Sequence, residues 1–269
     1  MTDREPPISA ETTGVLVDVL HQGVLGITLN RPDRLNAVND AAIDDIHAAL
    51  DAVDADRAHR VVLLRAVGRG FCSGFDMGDY NGDPESRGGA VALSARMDRL
   101  ASIPLRMRSS RAVVVAAVRG PVVGGGFGLA LGADILLAGK SAMFTLPQTQ
   151  LGVLAAEMGI SFLLPRIVGL NRAAQLMLCG STIDADTALA YGLVTDVLAD
   201  GEVDSAGLEF AVRLTQRSTE ALASTKRLLM AGAESGSLTT TAQRETEAQV
   251  LSNYWPELRT SIARFQNPD

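Results

Sequence analysis

With 269 residues, 47% of them apolar and 20% charged, the chain can build one large hydrophobic core, with or without a small extension. Its formal net charge of −7 argues against nucleic acid or an anionic membrane surface as the main partner, and an anionic ligand would need a local basic patch. Cys72 and Cys179 make no disulfide framework, and His21, His47 and His59 lack ligand spacing, so a reduced compartment and no metal site are expected.

The first residues, Met1 to Pro7, lack the apolar stretch of a signal peptide, and no uncharged apolar run reaches the ~20 residues of a membrane helix. A cytoplasmic protein without a membrane span is the expectation. Residues 14–19 and 23–30 read as two strands joined by a short turn. Asn39 is placed to cap a helix whose Ile43, Ile46, Leu50 and Val53 share one face. His47 lies on that helix among Asp44, Asp45 and Asp51 and is expected to be a solvated surface residue.

Arg60 to Val67 is a buried-type strand, followed by the turn Gly70-Phe71-Cys72-Ser73-Gly74-Phe75-Asp76. Residues 78–89, rich in Gly, Asp, Asn, Pro and Ser, read as a surface loop able to cover a site. A helix is predicted over 91–108, then a buried strand Val113–Val118. Gly124-Gly125-Gly126 opens a short helix to about Leu131, and a further strand follows at Ile135–Ala138. This alternation predicts an α/β core with covered sheets. Beyond residue 155 helices dominate, with Asn171 and Asp184 as candidate N-caps. The chain is divided into a core over 1–200 and a helical region over 201–269. The latter is too thin to hold a core alone, so it packs on the main body or on another subunit.

Two nucleotide motifs fail on spacing. A G-x-G-x-x-G fingerprint begun at Gly124 would need glycine where Leu129 stands, and begun at Gly126, where Leu131 stands. Gly139-Lys140-Ser141 resembles the end of a P-loop, but the required first glycine is Asp134. The glycine turns instead suit backbone chemistry. Two N–H groups aimed at one point form an oxyanion hole, which stabilises negative charge on a carbonyl oxygen without any side chain.

Several segments recur together at the spacings of one family: Asn30-Arg31-Pro32 with Leu35-Asn36-Ala37, Phe71–Asp76, the triple glycine, Leu146–Gly152, Leu163–Gly169 and Ala188–Val194. Over about Val15 to Asn267 the chain resembles the crotonase (enoyl-CoA hydratase/isomerase) superfamily. The resemblance implies a spiral of ββα repeats followed by a helical C-terminal trimerisation region. It implies a homotrimer or a hexamer made of two trimers. It also implies an acyl-CoA thioester substrate and no cofactor beyond the coenzyme A that the substrate carries. By the same resemblance Phe75 and Gly125 are the hole donors. Arg34, Leu35, Ala37, Ser73 and Gly124 fall among the substrate contacts, Asp76 and Met77 lie beside the hole, and Lys226 lies near the CoA phosphates.

The family hydratases add water with two glutamates, whose positions here are Gly128 and Gln148. Neither residue exchanges protons near neutral pH, so that mechanism cannot run as in those enzymes. Gly128 is expected to open space near the acyl group, and Gln148 to hydrogen-bond a water or a substrate oxygen. Glu157 is the one charged residue between Lys140 and Arg166. Counted back from Leu164-Pro165-Arg166, its register is close to the family's dienoyl-CoA isomerases. Three readings follow: a single-carboxylate isomerase using Glu157, a hydratase with Glu157 and Gln148 positioning the water, and an acyl-CoA-binding protein without catalysis.

Overall fold

The computed structural model describes residues 14–78, 83–255, 258 and 262. Strands β1 (Val15–His21) and β2 (Val24–Leu29) form an antiparallel hairpin. From β2 onward the large sheet is parallel and runs through β3 (Val61–Ala66), β4 (Val113–Val118), β6 (Ile135–Gly139) and β9 (Asp196–Leu198). A smaller sheet joins β5 (Pro121–Val123), β7 (Met143–Thr145) and β8 (Thr182–Asp184).

The two sheets show the repeat. β4 turns at Gly120 into β5, and β6 turns into β7; the first strands pair in parallel with each other, as do the second strands. One repeat earlier, the segment after β3 passes Cys72 alongside Val122 as a parallel bridge. Each turn of the spiral is thus laid on the previous one, and the ends of successive repeats meet at one edge. This is the expected crotonase-type architecture.

Both sheet faces are covered, which is why these strands read as unbroken apolar runs. On one face Val62, Leu64, Val114 and Ala116 pack with Ile43, Ile46 and Leu50 of α1 (Asp40–Ala55). On the other, Val61, Leu63, Val115 and Ala117 pack with Val203 and Ala211 of α7 (Val203–Thr215). The alternation of neighbours between two clusters is the period-2 geometry of a strand. α7, although inside the predicted C-terminal region, therefore covers the large sheet.

The Asn39 cap forms as expected, its side chain accepting from Ala42 N–H, and Asp184 caps α6 (Ala185–Ala190) through Thr187 N–H. Asn171 does not cap. Gly169, at φ 85°, separates α4 (Ile160–Val168) from α5 (Leu170–Cys179), so Asn171 lies inside the first turn of α5. The predicted helix 91–108 is α2 (Gly89–Ser109). Of the predicted covering loop, residues 79–82 lie outside the described residues, and 84–87 form a 3₁₀ turn. His47 is half-buried between α1 and α2 instead of being solvated: Arg106 donates to its Nδ1 at 3.0 Å, and its Nε2 lies 3.0 Å from Arg99 O.

After α7 in the chain, α8 (Thr219–Glu234) lies against α2 and β4, and α9 (Leu238–Ser252) packs on α8 with no buried residue of its own. No described helix is long and apolar enough to cross a membrane.

Candidate active site

The site lies where the segment following β3 meets the start of α3 (Gly125–Leu131). Four backbone hydrogen bonds set this junction: Phe71 N–H to Arg119 O, Cys72 N–H to Pro121 O, Val123 N–H to Cys72 O and Gly124 N–H to Thr145 O, all between 2.8 and 3.0 Å. Gly124 adopts φ 52°, ψ −117°, a conformation that suits glycine and turns the chain abruptly into α3. Gly126 is required for a second reason: a Cβ there would fall 2.5 Å from Cys72 O and 2.7 Å from Cys72 Cβ. The glycine triplet therefore lets the helix start press against the neighbouring repeat.

This brings Phe75 and Gly125 together. A Cβ placed on Gly125 would stand 3.7 Å from Phe75 N. As the first residue of α3, Gly125 has no acceptor within the helix for its N–H, and the helix dipole adds positive potential there.

One flank of the junction is the segment Arg31–Val38. Val38 N–H donates to Gly74 O and Asp76 N–H to Val38 O, while Ser73 N–H donates to Leu35 O. Leu35 and Asn36 both hold positive φ, 49° and 56°. Asn36 explains how: buried, it accepts from Arg31 N–H at 2.7 Å and donates to Val67 O and Gly70 O at 2.9 and 2.8 Å. Asp76 accepts from Gly78 N–H and pairs with Arg31 at 2.8 Å. These contacts, the Gly78 N–H first, hold its carboxyl below the usual range, so Asp76 steadies the turn as an anion. Arg34, Leu35, Ala37, Ser73, Asp76 and Met77, predicted as substrate-side residues, are thus gathered on this flank, with Arg34 and Met77 exposed. Arg31 and Asn36 are missed as site-building residues by sequence reasoning. Their one signal is the Asn-Arg-Pro…Leu-Asn-Ala pattern.

The other flank carries the carboxylate. Gln148, buried in the 3₁₀ turn Pro147–Leu151, donates from Nε2 to Glu157 Oε1 at 2.8 Å. Both lie over Gly124: a Cβ there would be 3.1 Å from Gln148 Nε2 and 3.8 Å from Glu157 Oε1. Burial pushes the Glu157 carboxyl up from its ordinary value, and the Gln148 hydrogen bond opposes this in part. Gln148 Oε1 is buried with no partner among the described residues.

Met158 follows Glu157, is 3% exposed and has φ 51°. It corrects one expectation, because Gly128 opens no space. A Cβ on Gly128 would meet Met158 Cβ at 2.8 Å and Sδ at 3.0 Å, so the volume belongs to Met158. A second expectation also changes. Lys226, 5% exposed in α8, gives its ammonium to Met107 O, Ala112 O and the Asp134 carboxylate, each at 2.7 Å. All three protons are used. They are used beside the start of β4, away from the junction at its other end, so Lys226 anchors α8 and does not reach a phosphate. Burial pushes the Asp134 carboxyl up and the Lys226 ammonium down, their mutual pairing opposing both shifts. Cys72 is no nucleophile: burial pushes its thiol up to about 12.

A family model described as enoyl-CoA hydratase/isomerase matches residues 20–267. The chain belongs to the enoyl-CoA hydratase/isomerase family. A Mycobacterium leprae protein described as "Probable enoyl-CoA hydratase echA12" is 35% identical over 252 residues, 93% of this chain and 86% of that protein. The 1,2-epoxyphenylacetyl-CoA isomerase of Escherichia coli K12 is 34% identical over 91% of this chain and 93% of its own. Among solved structures, a monofunctional enoyl-CoA isomerase from Mycobacterium smegmatis superposes with a TM-score of 0.73 at 33% identity, over 86% of this chain and 99% of that one. An enoyl-CoA hydratase from Bacillus anthracis superposes with a TM-score of 0.88 at 26% identity, over 94% and 96%. Membership makes this chain a hydratase/isomerase-family enzyme, and hydratases and isomerases both stand among its relatives.

Proposed function

We propose that the chain is a single-carboxylate enoyl-CoA isomerase, in which Phe75 and Gly125 N–H groups hold the thioester oxygen and Glu157 moves the proton. The observation that carries this reading is the position of Glu157, held by Gln148 over Gly124, one residue from the hole donor. In the reaction, carboxylate Glu157 takes an α-proton from a 3-enoyl thioester. The C–H electron pair shifts into the carbonyl, giving a dienolate whose oxyanion the two N–H groups stabilise. Glu157, now an acid, returns the proton to the γ-carbon, and the conjugated 2-enoyl thioester leaves with no atom gained or lost. A buried carboxyl with a raised pKa is suited to both half-steps, because base and acid forms lie closer in energy. No cofactor takes part beyond the coenzyme A of the substrate. Arg34 and Met77 flank the CoA side, and the part of the C-terminal helical region that does not cover the large sheet serves assembly into a trimer or a pair of trimers.

One observation favours hydration instead: the buried Gln148 Oε1, which has no partner among the described residues, can accept from a water that Glu157 would activate. Against it, Met158 fills the place of a carboxylate at position 128. Wild type and Glu157→Gln are incubated with 3-enoyl- and 2-enoyl-CoA in deuterated water, and the products are read by mass spectrometry. Formation of 2-enoyl-CoA with label at the α- or γ-carbon, lost in Glu157→Gln, is the expected result. A 3-hydroxyacyl product would assign hydration, and binding without label would assign the non-catalytic reading.

A further inference from the structure

The side chain of Met158 runs along one face of α3: its Sδ would touch a Cβ on Gly128 at 3.0 Å and one on Gly125 at 3.5 Å. Its other side faces an open cleft of about 660 Å³ between α2, the start of α4 and α8, lined with Leu105, Phe162, Leu163 and Met230. Met158 is therefore the wall shared by the candidate hole and this cleft. Arg108 and Arg227 also stand on the cleft, and the apolar Leu105 and Phe162 that line it are 62% and 38% exposed. Met158 is also a backbone outlier. A non-glycine residue at φ 51° next to the candidate acid/base is held there by its surroundings, and such outliers gather at functional sites. Methionine, unbranched and flexible, fills irregular gaps and adapts to what it meets.

We propose that Met158 sets the length of acyl group accepted, by closing the passage from the oxyanion hole to the cleft between α2, α4 and α8. The cleft's occupant is the alkyl tail of an acyl thioester, admitted when residue 158 is shortened. This rests on the acyl-CoA reading of the site, and its test is separable from the proton-transfer chemistry because it reads binding of saturated thioesters.

The experiment measures dissociation constants of four-carbon and ten-carbon saturated acyl-CoAs for wild type, Met158→Ala, Met158→Gly and Met158→Leu, with thermal melting to establish folding. Glycine relieves the positive φ and is the truncated variant best placed to fold. Each methylene in a hydrophobic pocket is worth about tenfold or more. The ratio of ten-carbon to four-carbon affinity is therefore expected to rise at least about tenfold in Met158→Ala and Met158→Gly, and to stay near wild type in Met158→Leu. An unchanged ratio in either folded truncated variant, or an equal rise in Met158→Leu, overturns the proposal. Failure of the enolate reading would show separately, as absence of deuterium exchange in wild type with thioesters it binds.

Discussion

The two flanks of the site are built by different means. On the Arg31–Asp76 side, the turn is tied by backbone hydrogen bonds and by one buried amide, Asn36, which satisfies three backbone groups across 34 residues of sequence. On the Gln148–Met158 side, one side-chain hydrogen bond and the fit of a methionine on glycine decide what stands over Gly124 and Gly128. Under the proposed function, the first construction holds a place for a carbonyl oxygen and is indifferent to most side chains. Under the same proposal the second selects the chemistry, because it carries Glu157 while Gly128 stands where the family resemblance implies a glutamate. A fold can thus keep its electrostatic device while its acid/base changes.

Substitutions that separate the flanks should have effects of graded size. The largest is Glu157→Gln, expected to lower kcat about 10²- to 10⁴-fold, as loss of a general acid/base does, while acyl-CoA affinity stays within a few-fold. Steady-state kinetics beside equilibrium binding checks this, and an equal loss in affinity would place Glu157 in binding instead of chemistry. Next comes Gly126→Ala, where a methyl would collide with Cys72 backbone and side chain. Overpacking costs about 1–3 kcal/mol, and a shifted hole donor lowers kcat by up to about 10²-fold. Thermal melting and single-turnover rates on the same preparation would show whether both fall together.

Asn36→Ala tests the other flank. It removes the partner of the Arg31 N–H, of the Val67 carbonyl and of the buried Gly70 carbonyl, and puts alanine at a positive φ, at a cost of about 2–3 kcal/mol in chemical denaturation. Here KM should rise more than kcat falls. The opposite split would mean that the Asn36 turn acts on the reacting atoms. The smallest effect is that of Gln148→Leu. The Gln148 hydrogen bond favours the Glu157 carboxylate, so its loss raises the Glu157 pKa further. Under the proposed function turnover needs the carboxylate, so the acid limb of kcat/KM should move to higher pH in the variant than in wild type. A limb that stays in place would mean that another group controls it.

Much of the architecture was legible because it follows from local rules. β3 and β4 are buried on both faces and read as apolar runs, Asn39 announces α1, and the triple glycine marks a junction at which Cys72 leaves no room for a side chain. The three-residue strands β5, β7, β8 and β9 escaped because such short segments carry no periodicity. Asn171 misled because a glycine at positive φ ends one helix and begins the next.

The strand–glycine–helix order could be read from residue type and spacing alone, whereas Phe75 and Gly125 as candidate donors, and Gly128 and Gln148 at the positions of two hydratase glutamates, are what the resemblance to the family implies. Only the tertiary structure decided that Met158 occupies the space over Gly128, that Gln148 grips Glu157, and that Lys226 is consumed by Asp134 and two carbonyls. The partners there lie 30 residues apart for Met158, nine for Gln148 and 92 to 119 for Lys226. Which buried polar group finds which partner, and which side chain fills a glycine's gap, is settled by packing in three dimensions, where a misplaced charge or void costs more than any local preference can offset.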